Sequence, residues 1–282
     1  MTSTKTKIFK FVWGNFIKPI SSNPNIVKKN NKWLKNRPIK DNNVEAKKVI
    51  YYMHGGVYLY GLNNIYKNFG CVLCDLREDI EVILLDYSLA PEHIYPTQLN
   101  EALDVWMELT KTFDPKNIIV GGDSAGAPGA GIFFSPWTDM TCTSESFYRN
   151  YTKDIIVGGT KGPLTKEKVE EMKNSITYSF IGNAERTDPY ISPIFADYST
   201  FPKSIFFVGD EEMLLDDTVT VVKKIRENPD NQVELIVKEG MFHVYPLIGS
   251  FSFLSINPNN YTIPEGKEAI ERVKQFILDY YQ

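Results

Sequence analysis

The chain has 282 residues, 43% of them apolar and 13% aromatic, which suits one large domain with a sizeable core and excludes a disordered composition. A net charge of −4 with both signs interspersed speaks against a nucleic-acid partner, and no run approaches the roughly 20 apolar residues that cross a membrane. Three cysteines do not make a disulfide framework and fit a reducing, cytoplasmic compartment.

In chain order, Ile8, Phe9, Phe11, Val12, Phe16 and Ile17, flanked by lysines, suit an amphipathic helix. Membrane contact is one reading of it; a cap element folded over the rest of the domain, within about residues 1–30, is preferred. The stretch is too short for a signal peptide and lacks a small-residue cleavage site. Residues 21–48, rich in Asn, Lys and Pro, read as loop with one strand around Lys32, Trp33 and Leu34. A buried-strand pattern at 49–53 then runs into His54-Gly55-Gly56-Val57, where glycines can turn backbone N–H groups towards a ligand. A helix over 64–78 carries Cys71 and Cys74, a spacing that reads as a core-facing helix rather than a metal or redox pair because no second Cys or His cluster lies nearby. Strand 81–86 follows, then Asp86-Tyr87-Ser88-Leu89-Ala90-Pro91-Glu92-His93, then a helix over 97–111.

The next strand, 117–122, ends in Gly121-Gly122-Asp123-Ser124-Ala125-Gly126. A β-branched run followed by Gly-x-Ser-x-Gly reads as a nucleophile elbow, with Ser124 presented at the top of a sheet and glycines where the turn has no room for side chains. Strand 131–135 leads into Ser135-Pro136-Trp137-Thr138-Asp139-Met140. Residues 165–181, with helical spacing, read as an insertion and as the second part of the cap, within about 140–200. Strand 204–208 ends in Gly209-Asp210-Glu211-Glu212, helix 215–226 follows, and strand 233–237 runs into Glu239-Gly240-Met241-Phe242-His243. A last helix covers 266–280. Strands alternating with helices imply an α/β fold with a mostly parallel sheet covered on both faces. Of the three histidines, His54 belongs to the glycine loop and His93 to a loop motif, which leaves His243 as the base in a Ser…acid…His order. Two glycosylation sequons, at Asn150 and Asn260, are read as accidental.

These segments resemble the hormone-sensitive-lipase-like branch of the α/β-hydrolases over about four-fifths of the chain. The match rests on the elbow, His54-Gly55-Gly56, residues 86–93, Ser135-Pro136-Trp137, Ser192-Pro193 and residues 209–217. The resemblance implies a single α/β-hydrolase domain over 1–282 with a helical cap, and a serine carboxylesterase acting on small acyl esters without a cofactor or metal. It implies Ser124 as nucleophile, His243 as base, and an oxyanion hole built from Gly55, Gly56, Val57 and Ala125. The family's Asp-Pro-Leu-x-Asp, laid on Leu214 and Asp216, puts the acid at Glu212, with Asp216 and Asp210 as alternatives. A small ester is the expected partner, with no membrane insertion and a homodimer as a candidate assembly.

The sequence departs from the family in two places. Val57 stands where a third glycine is common, which an ordinary φ would tolerate. More importantly, only eight residues, 123–130, separate the nucleophile strand from the next one, so that a helix of sequence is missing. A parallel crossover normally takes a dozen or more residues. Eight residues reach at most about 27 Å against about 17 Å for recrossing a five-residue strand, so the connection is expected to be a stretched loop. A catalytically impaired hydrolase-fold protein, a ligand binder or an incomplete gene product, is the alternative to an active esterase.

Overall fold

The computed structural model describes residues 47–126, 131–160, 162–250 and 263–282, and the backbone of two strands ahead of them. Its strands are β1 (Ile26–Lys29), β2 (Lys32–Lys35), β3 (Lys48–Met53), β4 (Ile80–Leu85), β5 (Ile118–Asp123), β6 (Gly131–Phe134), β7 (Ser204–Gly209) and β8 (Val233–Lys238). They form one eight-stranded sheet in the order β1-β2-β4-β3-β5-β6-β7-β8. The pairings from β4 through β8 are parallel; β1–β2 and β2–β4 are antiparallel. The strand expected around Lys32 is present, and β1 precedes it where a loop was expected.

Period-2 alternation sends successive side chains of each strand to opposite faces. Ile50, Tyr52, Ile119, Ile132, Phe134, Ile205 and Phe207 point to one face, where α1 (Asn64–Cys74), α6 (Tyr245–Ser250) and α7 (Pro264–Tyr280) close over them in a single apolar cluster. α1 begins at Asn63, whose side chain accepts the Ile65 N–H at 2.8 Å. α7 begins with Pro264 and buries Ala269, Ile270, Val273, Phe276 and Ile277, the spacing of an apolar helical stripe. Cys74 lies in this core and Cys71 is half-buried, and neither is in a disulfide. On the opposite face α2 (Thr97–Thr110) covers Val49, Tyr51, Ile83, Leu85 and Ile118, and α5 (Leu215–Ile225) separately covers Phe133 and Phe206.

No described helix lies between β5 and β6. Their connection is residues 124–130, of which Ser124–Gly126 form one 3-10 turn and 127–130 lie outside the described residues. β6 starts opposite Val120, so the chain retreats only from Asp123 to Val120, about 10 Å at ~3.3 Å per residue. The recrossing is shorter than that of the five-residue strand expected from the sequence.

The insertion between β6 and β7 carries α3 (Glu145–Arg149) and α4 (Lys166–Lys173). The helical pattern over 165–181 is therefore broken. Thr165 caps α4 by accepting the Lys168 N–H, and the Asn174 side chain donates to the Glu170 carbonyl at its end. The chain resumes as a separate 3-10 helix, Ile176–Ile181. Asparagine and serine at 174–175 offer the backbone local alternatives to a continuing helix. The insertion packs Trp137, Leu164, Tyr178, Phe180 and Ile181 over Ala125 and Leu214, which brings it against the end of β5. The amphipathic stretch Ile8–Ile17 and the sequon at Asn260 lie outside the described residues.

Candidate active site

Ser124 follows directly on β5 with φ at +50°, a left-handed backbone that non-glycine residues seldom adopt. The turn closes only because its flanks are glycines: a Cβ on Gly122 would collide with the Gly126 carbonyl, and one on Gly126 with the His54 carbonyl. Ser124 is thereby pushed out past the end of the strand.

His243 arrives from the loop after β8 and Glu212 from the turn after β7. His243 Nε2 lies 3.0 Å from Ser124 Oγ, and His243 Nδ1 lies 3.1 Å from Glu212 Oε2. With Nδ1 protonated, the imidazole donates to the carboxylate and accepts the serine proton. Glu212 is fully buried, and its other oxygen accepts the Ser135 hydroxyl at 2.7 Å and the Gly209 N–H at 2.5 Å. Burial raises the pKa of Glu212, against the hydrogen bond and charge of His243. For His243 burial works against the charged form, but the bond to Glu212 and its charge outweigh this and raise the pKa, helped by Asp154 and Asp123.

The two alternative carboxylates, Asp210 and Asp216, are engaged elsewhere. Asp210 accepts the Gly240 N–H at 2.7 Å, and Asp216 accepts the Ser146 N–H at 2.6 Å and pairs with Arg149. Of the three candidates, Glu212 alone meets the imidazole.

The glycine loop lies against the same elbow. Asp123 is buried and its carboxylate accepts three donors: the Gly55 N–H at 2.9 Å and the Tyr52 and Tyr66 hydroxyls at 3.0 Å each. Burial lifts its pKa to about 6, against these donors. His54 stacks on Tyr87 at 4.2 Å, and the Tyr87 hydroxyl donates to the His54 carbonyl. Burial lowers the His54 pKa to about 4, so this imidazole is neutral at pH 7. Among the described residues, the N–H groups of Gly56 and Val57 donate to no backbone acceptor. Val57 does not have the ordinary φ that would tolerate its side chain: it sits at +50°, beside Gly56 at +116° and Tyr58 at +59°. A β-branched residue there is strained, and the strain is what aims the loop. Among the described residues, six non-glycine residues have positive φ, and five of them (Val57, Tyr58, Ser124, Ser135 and Val244) surround this site.

The structure thus brings Ser124, His243 and Glu212 into one hydrogen-bonded line, with Ala125 next to Ser124 and Gly55 tied to Asp123. His93 is exposed and its carbonyl serves a bond from Gln98. Sequence reasoning missed Ser135, Asp123 and Asn150. The Asn150 amide donates to the carbonyls of Asp210 at 2.9 Å and Glu212 at 2.8 Å, which occupies a side chain read as an accidental sequon. Its only sequence signal was its place in the insertion.

A sequence profile describing an α/β hydrolase fold matches residues 50–247. The chain is 29% identical over 251 residues, 82% of its length and 75% of the relative's, to a protein named esterase from Acinetobacter venetianus. It is 26% identical over 241 residues, 76% of this chain and 71% of the other, to an ethyl acetate hydrolase of Pseudomonas putida. Among solved structures, an esterase from the bacterial hormone-sensitive lipase family superposes with a TM-score of 0.75 at 25% identity, covering 100% of this chain and 93% of that one.

Proposed function

The chain belongs to the α/β-hydrolase fold family, and on that premise we propose that it is a serine carboxylesterase for small acyl esters, in its hormone-sensitive-lipase-like branch. Carboxylic ester hydrolysis accords with its relatives. The observation that carries the reading is the line from Ser124 through His243 to Glu212, with links of 3.0 and 3.1 Å. Both are within the reach a proton relay needs.

In this mechanism Ser124 Oγ attacks the ester carbonyl carbon while its proton passes to His243 Nε2. Glu212 holds the imidazole in the right tautomer and favours the imidazolium that forms. The carbonyl oxygen takes up the negative charge and is met by the N–H groups of Gly56, Val57 and Ala125, with Gly55 shaping the turn. The C–O bond to the alcohol then breaks, His243 returns the proton to the leaving alkoxide, and an acyl-Ser124 ester remains. Water deprotonated by His243 attacks that ester, releases the carboxylic acid and restores Ser124. The apolar side chains over Ala125, among them Val57, Tyr58, Trp137 and Phe180, suit a short hydrocarbon acyl or alcohol group.

We assign residues 140–200 to a cap on a single domain. No described helix is long and apolar enough to cross a membrane. A cytoplasmic protein without a nucleic-acid partner fits the charge and cysteine content.

The reading is tested by incubating the purified chain with a fluorophosphonate probe and mapping the adduct. Ser124 should carry it, and Ser124→Ala should lose both labelling and p-nitrophenyl acetate turnover. Labelling at another serine, or turnover that survives the substitution, would sink the assignment.

A further inference from the structure

Ser135, directly after β6, is fully buried and held with φ at +47°. Its own N–H donates to the Phe207 carbonyl at 2.8 Å, which anchors it to β7. Its hydroxyl has two partners from two different loops: Oγ donates to Glu212 Oε1 at 2.7 Å and accepts the Val244 N–H at 2.9 Å. Val244 follows His243 in the chain and is itself at φ +57°. A hydroxyl has one proton. With Val244 N–H occupying one lone pair of Oγ, that proton goes to the carboxylate, so the bond has a fixed direction.

We propose that Ser135 is a positioning residue for ester hydrolysis, locking the carboxylate of Glu212 and the backbone behind His243 into one fixed relation. The proposal rests on the esterase reading above and adds a fourth side chain to it. Glu212 and His243 enter on separate loops, after β7 and β8. At their outer end these loops are tied by Asp210 to the Gly240 N–H and by the Glu211 N–H to the Met241 carbonyl. At the inner end, beside the reacting groups, Ser135 makes the tie. Its bond also selects which carboxylate oxygen faces the imidazole: Oε1 is taken by Ser135 and Gly209, which leaves Oε2 for His243 Nδ1. The left-handed backbone at Ser135 and Val244 keeps these groups aimed, a cost tolerated where geometry must be over-determined.

The test compares the parent with Ser135→Ala, Ser135→Gly and Ser135→Cys. Glycine removes the hydroxyl while suiting the positive φ, and cysteine keeps a weak donor of similar size. Loss of a hydrogen bond to a buried carboxylate should lower kcat for p-nitrophenyl butyrate about ten- to a hundredfold, with KM within about twofold of the parent. Cysteine should fall between. A carboxylate with one donor fewer concentrates more charge on the imidazole, so the acid limb of kcat/KM should move up by about half a unit to one unit. The groups that face His243 otherwise, Glu212, Asp154 and Asp123, are unchanged. The same shift should appear when His243 is titrated by NMR, a readout that needs no turnover and only three histidines to assign. If the parent neither hydrolyses esters nor labels at Ser124, the esterase reading fails, and the NMR titration still decides the positioning role. A limb and a His243 titration that stay put or move down in both the alanine and glycine variants, or a plateau kcat within about twofold of the parent, overturn the proposal.

Discussion

The carboxyl end of the sheet and the face between α2 and α5 are built to different densities. At the carboxyl end each of the two buried carboxylates of the site is held by several partners: Asp123 accepts three donors, and Glu212 meets Ser135, Gly209 and His243. Five strained left-handed residues are clamped there as well. On the α2–α5 face the apolar packing falls into two separate clusters, one under each helix, whereas the opposite face is one continuous cluster. Val120, on the strand between them, is only half-buried. Strain at a site persists only where surrounding structure over-determines it. In this protein hydrogen bonds next to the reacting groups supply that constraint, not a thick layer of helices behind the nucleophile.

If density at the carboxyl end sets activity, the largest effect should come from its centre. Glu212→Gln should cut kcat by about three to four powers of ten, because the amide no longer favours the imidazolium. Asp216→Asn and Asp210→Asn, which remove carboxylates bonded to Ser146 and Gly240, should cost much less. Steady-state kinetics on the three variants decide it, and a larger loss at Asp216 than at Glu212 would move the acid there.

A smaller effect is expected one layer further out. Asp123→Asn keeps the shape of the group but removes its charge from the Gly55, Tyr52 and Tyr66 bonds. Charge-assisted bonds are roughly twice as strong as neutral ones. A loss of about tenfold in kcat/KM follows if the oxyanion loop depends on them. Asp123 also favours the protonated form of His243, so its neutralisation should move the acid limb of kcat/KM down, opposite to the Ser135 variants. A limb unmoved by Asp123→Asn would show that this carboxylate supports the loop without acting on the imidazole.

The parent's own pH profile sharpens the same point. Catalysis needs neutral His243, and its pKa is raised above the ordinary value of about 6.5. As pH falls through that raised value the base becomes protonated, so kcat/KM and the fluorophosphonate labelling rate should fall about tenfold per pH unit below it. A midpoint below about 6.5 would mean that burial outweighs Glu212.

Much of the sheet and the line of three side chains was legible because the signals were local. Apolar runs at 49–53, 117–122 and 204–208 mark strands buried on both faces, the run at 233–237 marks the half-buried edge strand β8, and the glycines around Ser124 mark a turn without room for side chains. β1 was not legible, since Ile26-Val27-Lys28-Lys29 lacks a clear alternation; the Asn30-Asn31 pair between two short segments was its only hairpin signal. Asp123, Ser135 and Asn150 were illegible as functional residues for another reason. Each acts through contacts from 57 to 109 residues away in the chain, and no local pattern reports such a distance. The left-handed Val57 was hidden by its side chain, because β-branched residues are normally counted against that backbone.

The smallest effect, and the most direct attack on the comparison, is to thicken the thin face. An amphipathic helix of about a dozen residues inserted between Ala127 and Pro128 would supply the usual length of a parallel crossover. Laid between α2 and α5, it would join the cluster around Ile118 and Val120 to the one around Phe133 and Phe206. Each large apolar side chain that it buries in full is worth ~1.5–3 kcal/mol, but much of the gain is offset by the backbone and side-chain entropy of ordering the new residues. A net gain of about 1–3 kcal/mol is therefore reasonable, which for a chain of this size is a rise in melting temperature of roughly 2–10 °C. Activity should rise less than stability, because the donors and acceptors around Ser124 are already in place; a new helix N-terminus at Ala125 would add only its dipole to the oxyanion site. Calorimetry of parent and insertion variant checks this. An unchanged or lower melting temperature would mean that the seven-residue connection already closes this face, and that its two clusters are complete as they stand.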